Sequence, residues 1–206
     1  MTRAPASLVG SLALACAILG SSQPAASFEG AFLGRDGLWR IVHNVCAPLS
    51  RVTGVALPCL AVDHDKGVAT LRAPDDATHI IVTPLDRVAG VESPSLLRPN
   101  APNYWADAWG QRAWVAQAAG RPLAWNDLGM AINSRPGRSQ DQLHIHVDCV
   151  KPEIRTALAR AVQDQKGWFE IDLRPWAARY RAKRLKVEDL DQNIFRMVAT
   201  EIPSAR

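Results

Sequence analysis

The residues best placed to do chemistry lie in Gln142-Leu143-His144-Ile145-His146-Val147, where polar and apolar side chains alternate. A β-strand sends successive side chains to opposite faces. The alternation therefore predicts Leu143, Ile145 and Val147 in the core and Gln142, His144 and His146 together on the other face, with neighbouring Cβ atoms about 7 Å apart. Only five histidines occur in 206 residues, so two at this spacing mark the strand as a candidate site. Three readings fit the pattern. One is a half-exposed strand that happens to carry two imidazoles. The second is a metal site, with His79, His64 or Asp148 as third ligand to zinc or iron. The third is nucleophilic catalysis. A neutral imidazole nitrogen attacks phosphorus, forms a phosphoramidate and divides one difficult displacement into two easier ones.

The segment just upstream favours phosphorus chemistry. Gly137-Arg138-Ser139-Gln140 offers a flexible backbone, a guanidinium and a hydroxyl. Backbone amides and arginine bind phosphate oxygens, and a hydroxyl beside the histidines can pass a proton to a leaving group.

The elements that must hold this strand are legible in outline. Residues 67–72 and 79–83 are short β-rich runs separated by a turn sequence, which predicts a hairpin. Residues 129–133 and 142–150 read as two strands joined by the polar loop SRPGRSQD. Residues 103–119 read as one helix, capped by Asn103 and ended by Gly120 and Pro122, and residues 152–165 as a second, with Pro152 in its first turn. Residues 37–45 read as a short helix or turn. Strand pairs with two principal helices and no regular βαβ alternation give an α+β class with a mainly antiparallel sheet.

Charge and cysteines bound the setting. The formal net charge of +4 is too small to argue for nucleic acid. The first 27 residues read as a targeting segment, a signal peptide or an N-terminal membrane anchor: Arg3, then the uncharged run Leu8 to Leu19, then small residues. The domain is then residues 28–206. Export leaves Cys46, Cys59 and Cys149 outside the targeting segment. Cys46 and Cys59 flank a loop with Pro48, Gly54 and Pro58 and suit a disulfide in an oxidising compartment. Cys149 reads as a buried thiol. Two features bear on a lipid surface. Trp105 and Trp109 share a helix face, which suits either the core or a membrane interface. Residues 174–186 carry Arg174, Arg179, Arg181, Lys183, Arg184 and Lys186 and no acid, which suits either a solvated face or adhesion to anionic lipid.

The pattern G-R-S-x-x-Q-x-H-x-H resembles that of the histidine triad superfamily. The wider sequence resembles one branch, the CDP-diacylglycerol pyrophosphatases. The similar pieces are Leu38-Trp39-Arg40-Ile41-Val42, the Cys46 and Cys59 pair, Gly90-Val91-Glu92-Ser93-Pro94, Ala131-Ile132-Asn133-Ser134-Arg135 with Gly137-Arg138, and His144-Ile145-His146. The resemblance runs from about residue 37 to the end. It implies a HIT-like domain that cleaves the pyrophosphate of CDP-diacylglycerol to CMP and phosphatidate, without metal or other cofactor.

On this resemblance His144 is the nucleophile that takes the CMP group, His146 contacts the phosphate, and Ser139 lies by the leaving group. Asn133 lies near the nucleotide phosphate, with Gly137 and Arg138 in the phosphate loop, and His79 lies on a strand lining the nucleotide pocket. Gln142 departs from the pattern, standing where the first triad histidine is usual. The implied partners are CDP-diacylglycerol in the membrane and an anionic lipid surface, with no nucleic acid. The implied location is the periplasm-facing side of a bacterial inner membrane, by anchor or by peripheral attachment. Two other functions fit the same scaffold: a hydrolase of soluble nucleotide anhydrides, and a non-catalytic lipid- or nucleotide-binding envelope protein.

Overall fold

Hydrophobic residues at helical spacing open the described part of the chain. The computed structural model describes residues 34–74, 76–161, 166–175 and 177–202. The expected targeting segment, with Cys16, and Trp176 of the basic stretch lie outside these residues. A continuous helical run is formed by α1 (Gly37–Ile41), a π-helical turn (Val42–Cys46) and α2 (Ala47–Thr53). It is longer than the short helix expected. Pro48 does not break it: it follows directly on the π-helical turn, where the Ala47 N–H already reaches five residues back to the Val42 carbonyl and the α-helical ladder is interrupted. Gly54 ends the run at φ 73°, a left-handed position that suits glycine.

Five strands follow in one sheet: β1 (Ala61–Asp63), β2 (Val68–Arg72), β3 (Ile80–Pro84), β4 (Leu128–Ala131) and β5 (Ile145–Cys149). Their spatial order is β1-β2-β3-β5-β4, and every adjacent pair is antiparallel. The expected hairpin of β2 and β3 is present, and so is the pairing of β4 with β5. Helices α3 (Tyr104–Gly110), α4 (Ala113–Ala119), α5 (Pro152–Ala161) and α6 (Ile194–Glu201) complete the domain. A second sheet pairs β6 (Trp168–Asp172) with β7 (Arg179–Lys183). The class is α+β with a mainly antiparallel sheet, as expected, though with more helices than the two foreseen.

The helix expected over 103–119 is two helices. Asn103 does cap α3, accepting from the Ala106 N–H at 3.3 Å. The chain then tightens at its end, where the Gln111 N–H donates to the Ala108 carbonyl and the Arg112 N–H to the Trp109 carbonyl. Gly110 sits at this break, and glycine in a helix interior costs about 1 kcal/mol relative to alanine. Asn103 also donates to the Leu190 carbonyl, tying α3 to the chain before α6.

The sheet is covered on both faces. On one, Val68, Ile80, Val82, Ile145 and Val147 pack with Tyr104, Ala108, Val115 and Phe195. On the other, Ala69 and Leu71 pack against Leu38, Val42 and the buried Cys46 and Cys59. Cys46 and Cys59 form a disulfide. Cys149 is only partly buried, because it lies at the end of β5 rather than under a helix. Trp105 packs against Phe195, with ring centroids 6.0 Å apart, so this tryptophan belongs to the core.

The basic stretch is a β-hairpin strand with its flanks, and much of its charge is engaged. Arg174 and Arg179 pair with Asp172, and Lys183 pairs with Glu201. Among the described residues no helix is long and apolar enough to cross a membrane.

Candidate active site

Alternation along residues 142–147 places the apolar members as expected: Leu143, Ile145 and Val147 are buried in the main core. His144 and His146 lie on the opposite face, with ring centroids 4.9 Å apart and edge to face. His146 sits in the middle of the sheet, opposite Ile81 on β3 and Ala131 on β4. His144 precedes the first residue of β5. The chain there is held by the Leu143 N–H donating to the Val88 carbonyl and by the Thr83 hydroxyl donating to the Leu143 carbonyl, both short bonds.

His144 is 7% exposed. Its Nδ1 lies 2.7 Å from the Gln142 carbonyl oxygen, which can only accept. Nδ1 therefore carries the proton, and in the neutral ring Nε2 keeps its lone pair. Burial disfavours the imidazolium and holds the group below its ordinary value of 6.5. The bond to the Gln142 carbonyl opposes this, while the positive charge of Arg138 and the neighbouring His79 ring add to it. A neutral histidine so placed is oriented and keeps one basic nitrogen, Nε2.

His146 is held from both sides. Its Nδ1 is 2.8 Å from His79 Nε2, and its Nε2 is 3.3 Å from Asn133 Nδ2. With the Asn133 amide donating, His146 Nε2 accepts, so its Nδ1 carries the proton and donates to His79. Asn133, His146 and His79 thus form one chain across β5, next to His144. Among the described residues no three His, Cys, Asp or Glu side chains are grouped to hold a metal ion. His64, considered as a third ligand, lies elsewhere, with Nε2 2.9 Å from Ser50 Oγ.

Gln142 does not face a substrate. It is fully buried, and its amide is engaged by backbone. Nε2 donates to the Pro84 carbonyl at 3.0 Å and the Asp86 carbonyl at 2.8 Å, and Oε1 accepts from the Val88 N–H at 3.2 Å. Gln142 lies in a bend before β5, outside the strand expected to begin there, and its side chain meets the chain that follows β3. Gln142 instead fixes residues 84–88 against the segment that carries His144. A histidine at 142 could not keep the same contacts. A neutral imidazole has one donor and one acceptor and cannot make three such bonds. Gln142→His is expected to lower stability by about 1–3 kcal/mol, since a buried carbonyl loses its donor. The denaturant midpoint checks this.

Arg138 is likewise a structural residue and not an open phosphate binder. Its side chain is 3% exposed and forms two parallel bonds of 2.7 Å with Glu92, while Nε reaches Asp141 at 3.1 Å. Asp141 is held in turn by Arg35 at 2.5 and 2.8 Å. These partners keep both the Glu92 and Asp141 carboxyls below their usual range, with hydrogen bonding from Arg138 and Arg35, respectively, as the largest cause. Gly90 makes the arrangement possible, because a Cβ there would lie 2.3 Å from an Arg138 nitrogen. Ser139 and Gly137 are exposed on the same loop. Glu92, Asp141 and Arg35 had no assigned part in the sequence reading. The only signal was that Glu92 falls in a segment similar to the family, and its partner is 46 positions away.

An α+β sheet that presents a buried neutral histidine backed by a second, anchored one has the equipment of a histidine-dependent hydrolase. The family model described as CDP-diacylglycerol pyrophosphatase matches residues 33–206, and the chain belongs to that family of hydrolases. A CDP-diacylglycerol pyrophosphatase of Yersinia pestis is 36% identical over 177 residues, covering 85% of this chain and 69% of its own length. One of Mycobacterium tuberculosis is 32% identical over 170 residues, covering 82% of this chain and 65% of its own. The chain thus spans about two thirds of the length of these relatives. A solved HIT family hydrolase from Clostridium thermocellum aligns with 52% of this chain and 92% of its own, at 18% identity and a TM-score of 0.36.

Proposed function

We propose that this chain hydrolyses the pyrophosphate bond of CDP-diacylglycerol, with His144 as nucleophile. His144 Nε2 attacks the phosphorus of the CMP moiety. The N–P bond forms as the bond to the bridging oxygen breaks, and phosphatidate leaves. Water then attacks the cytidylyl-histidine, the N–P bond breaks, and CMP is released with a neutral imidazole restored. The Gln142 carbonyl supports this role: it holds the Nδ1 proton and stabilises the positive ring of the intermediate. His146, braced by His79 and Asn133 and edge to face with the His144 ring, becomes a donor to the phosphate oxygens once its Nε2 takes up a proton and the Asn133 amide gives way to substrate. The exposed Ser139 hydroxyl is the group suggested to assist the leaving phosphatidate.

The single observation that carries this reading is the buried His144 ring with Nδ1 fixed on a carbonyl and Nε2 left as its basic atom. Hydrolysis in oxygen-18 water tests it. The label is expected in CMP and absent from phosphatidate, because water enters only at the nucleotide phosphorus. Label in phosphatidate would mean attack at the other phosphorus and would overturn the assignment.

The pH dependence follows from burial. A group held below 6.5 stays neutral, and so nucleophilic, at pH values where an exposed histidine is already protonated. The acid limb of kcat/KM is expected below pH 6.5, with activity lost as pH falls through the lowered value. A pH–rate profile checks this.

The setting proposed for the reaction is a bilayer surface on the periplasmic side, reached through the N-terminal segment. Arg181, Arg184 and Lys186 offer the charge for anionic lipid that their ion-paired neighbours do not.

A further inference from the structure

A cleft of about 770 Å³ opens between residues 87–92 and residues 135–141, outside the chemistry assigned to the histidines. Its walls carry Arg35, Arg87, Arg135 and Arg138 against Glu92 and Asp141, four guanidinium groups facing two carboxylates. Two of the four are internally satisfied. Arg138 is closed by Glu92 and Asp141, and Arg35 is turned onto Asp141. With Arg87 paired to Asp36, the surplus charge resides chiefly on Arg135. Arg87 is about half exposed, pairs with Asp36 and lies over the Trp39 ring, 4.9 Å from its centroid. Arg135 is exposed at the start of the turn that leaves β4.

The cleft adjoins the site by covalent and hydrogen-bonded connection. One wall, residues 87–92, is bonded to the segment ahead of His144 through Val88 with Leu143 and with the Gln142 amide. The other wall, residues 135–141, runs from two positions beyond Asn133, which touches His146, to the residue before Gln142. An anhydride held at His144 has a second phosphate, and the exposed Arg135 guanidinium, with the half-exposed Arg87 shared with Asp36, matches a phosphate in charge and in hydrogen-bond geometry.

We infer that this arginine cleft seats the phosphate of the phosphatidate half of the substrate, which becomes a phosphomonoester when the anhydride bond breaks, an inference that rests on the pyrophosphatase reading above. The rigid pair of Arg138 and Glu92 shapes the floor, and Arg135, with Arg87 beside it, supplies the charge. The cleft then places the leaving phosphate and gives phosphatidate a site from which it inhibits as a product.

The test is calorimetric titration of the full chain in neutral detergent with dihexanoyl phosphatidate, with inorganic phosphate and with dihexanoyl phosphatidylcholine, alongside CMP release. Wild type is expected to bind dihexanoyl phosphatidate and not the phosphocholine lipid. Arg135→Ala, at an exposed position, is expected to weaken that binding about five- to tenfold, and Arg135→Glu more, as for a charge-assisted bond at a partly exposed site. Circular dichroism of both variants should match wild type. Equal affinity for inorganic phosphate and dihexanoyl phosphatidate would support the headgroup seat alone, with no lipid contact. Unchanged phosphatidate affinity in both variants, or no binding by wild type, overturns the cleft assignment even if CMP is released. Binding that Arg135→Glu abolishes, with no CMP release by wild type, would keep the cleft and reject the hydrolase.

Discussion

Replacing His144 by alanine is expected to lower CMP release from CDP-diacylglycerol by roughly 10⁴-fold or more, with the fold unchanged. Removing a nucleophile forces a single direct displacement by water, and residual rate then comes only from binding and charge stabilisation by the remaining groups. His146→Ala should cost less, because it removes a contact to the phosphate and leaves the attacking atom in place. The ordering separates the two imidazoles, which a sequence motif treats alike. Steady-state CMP release in detergent micelles reads both, and circular dichroism excludes unfolding.

Loss of the Cys46–Cys59 bond is expected to lower stability by about 3 kcal/mol in the chain-entropy model. The crosslink spans 13 positions and holds the end of the π-helical turn to the chain entering β1. Both cysteines are packed in the cluster that covers the second face of the sheet. A Cys46→Ala/Cys59→Ala double variant should show its lower stability as an earlier denaturant midpoint, and wild type with a reducing agent should move toward it. A midpoint unmoved by either change would mean that packing alone holds this segment.

Period-two alternation was enough to locate the site strand, because a strand's geometry fixes side-chain direction from spacing alone. His144 and His146 share a face for that reason, and Asn103 caps α3 because a side-chain oxygen there meets free N–H groups. Direction does not say what lies above the face. Gln142 falls before the first residue of β5 and is sealed, because its amide is taken up by the backbone of residues 84–88. Arg138 has the right chemistry and position for phosphate, but Glu92 and Asp141 reach it first. Pro48 read as part of a loop, although the π-helical turn just ahead of it lets the helical run continue through it. These departures share a cause: each depends on a partner distant in sequence, or on a position within an element, that composition cannot specify.

The central claim is a covalent nucleotidyl-histidine at residue 144. The most direct test is rapid mixing of enzyme with CDP-diacylglycerol, an alkaline denaturing quench, and mass spectrometry of the intact chain and its peptides. The account predicts a transient cytidylyl group on the peptide containing His144, appearing with phosphatidate and decaying as CMP is formed, and absent from His144→Ala. CMP release with no adduct at any time, or an adduct carried by His146, would contradict it.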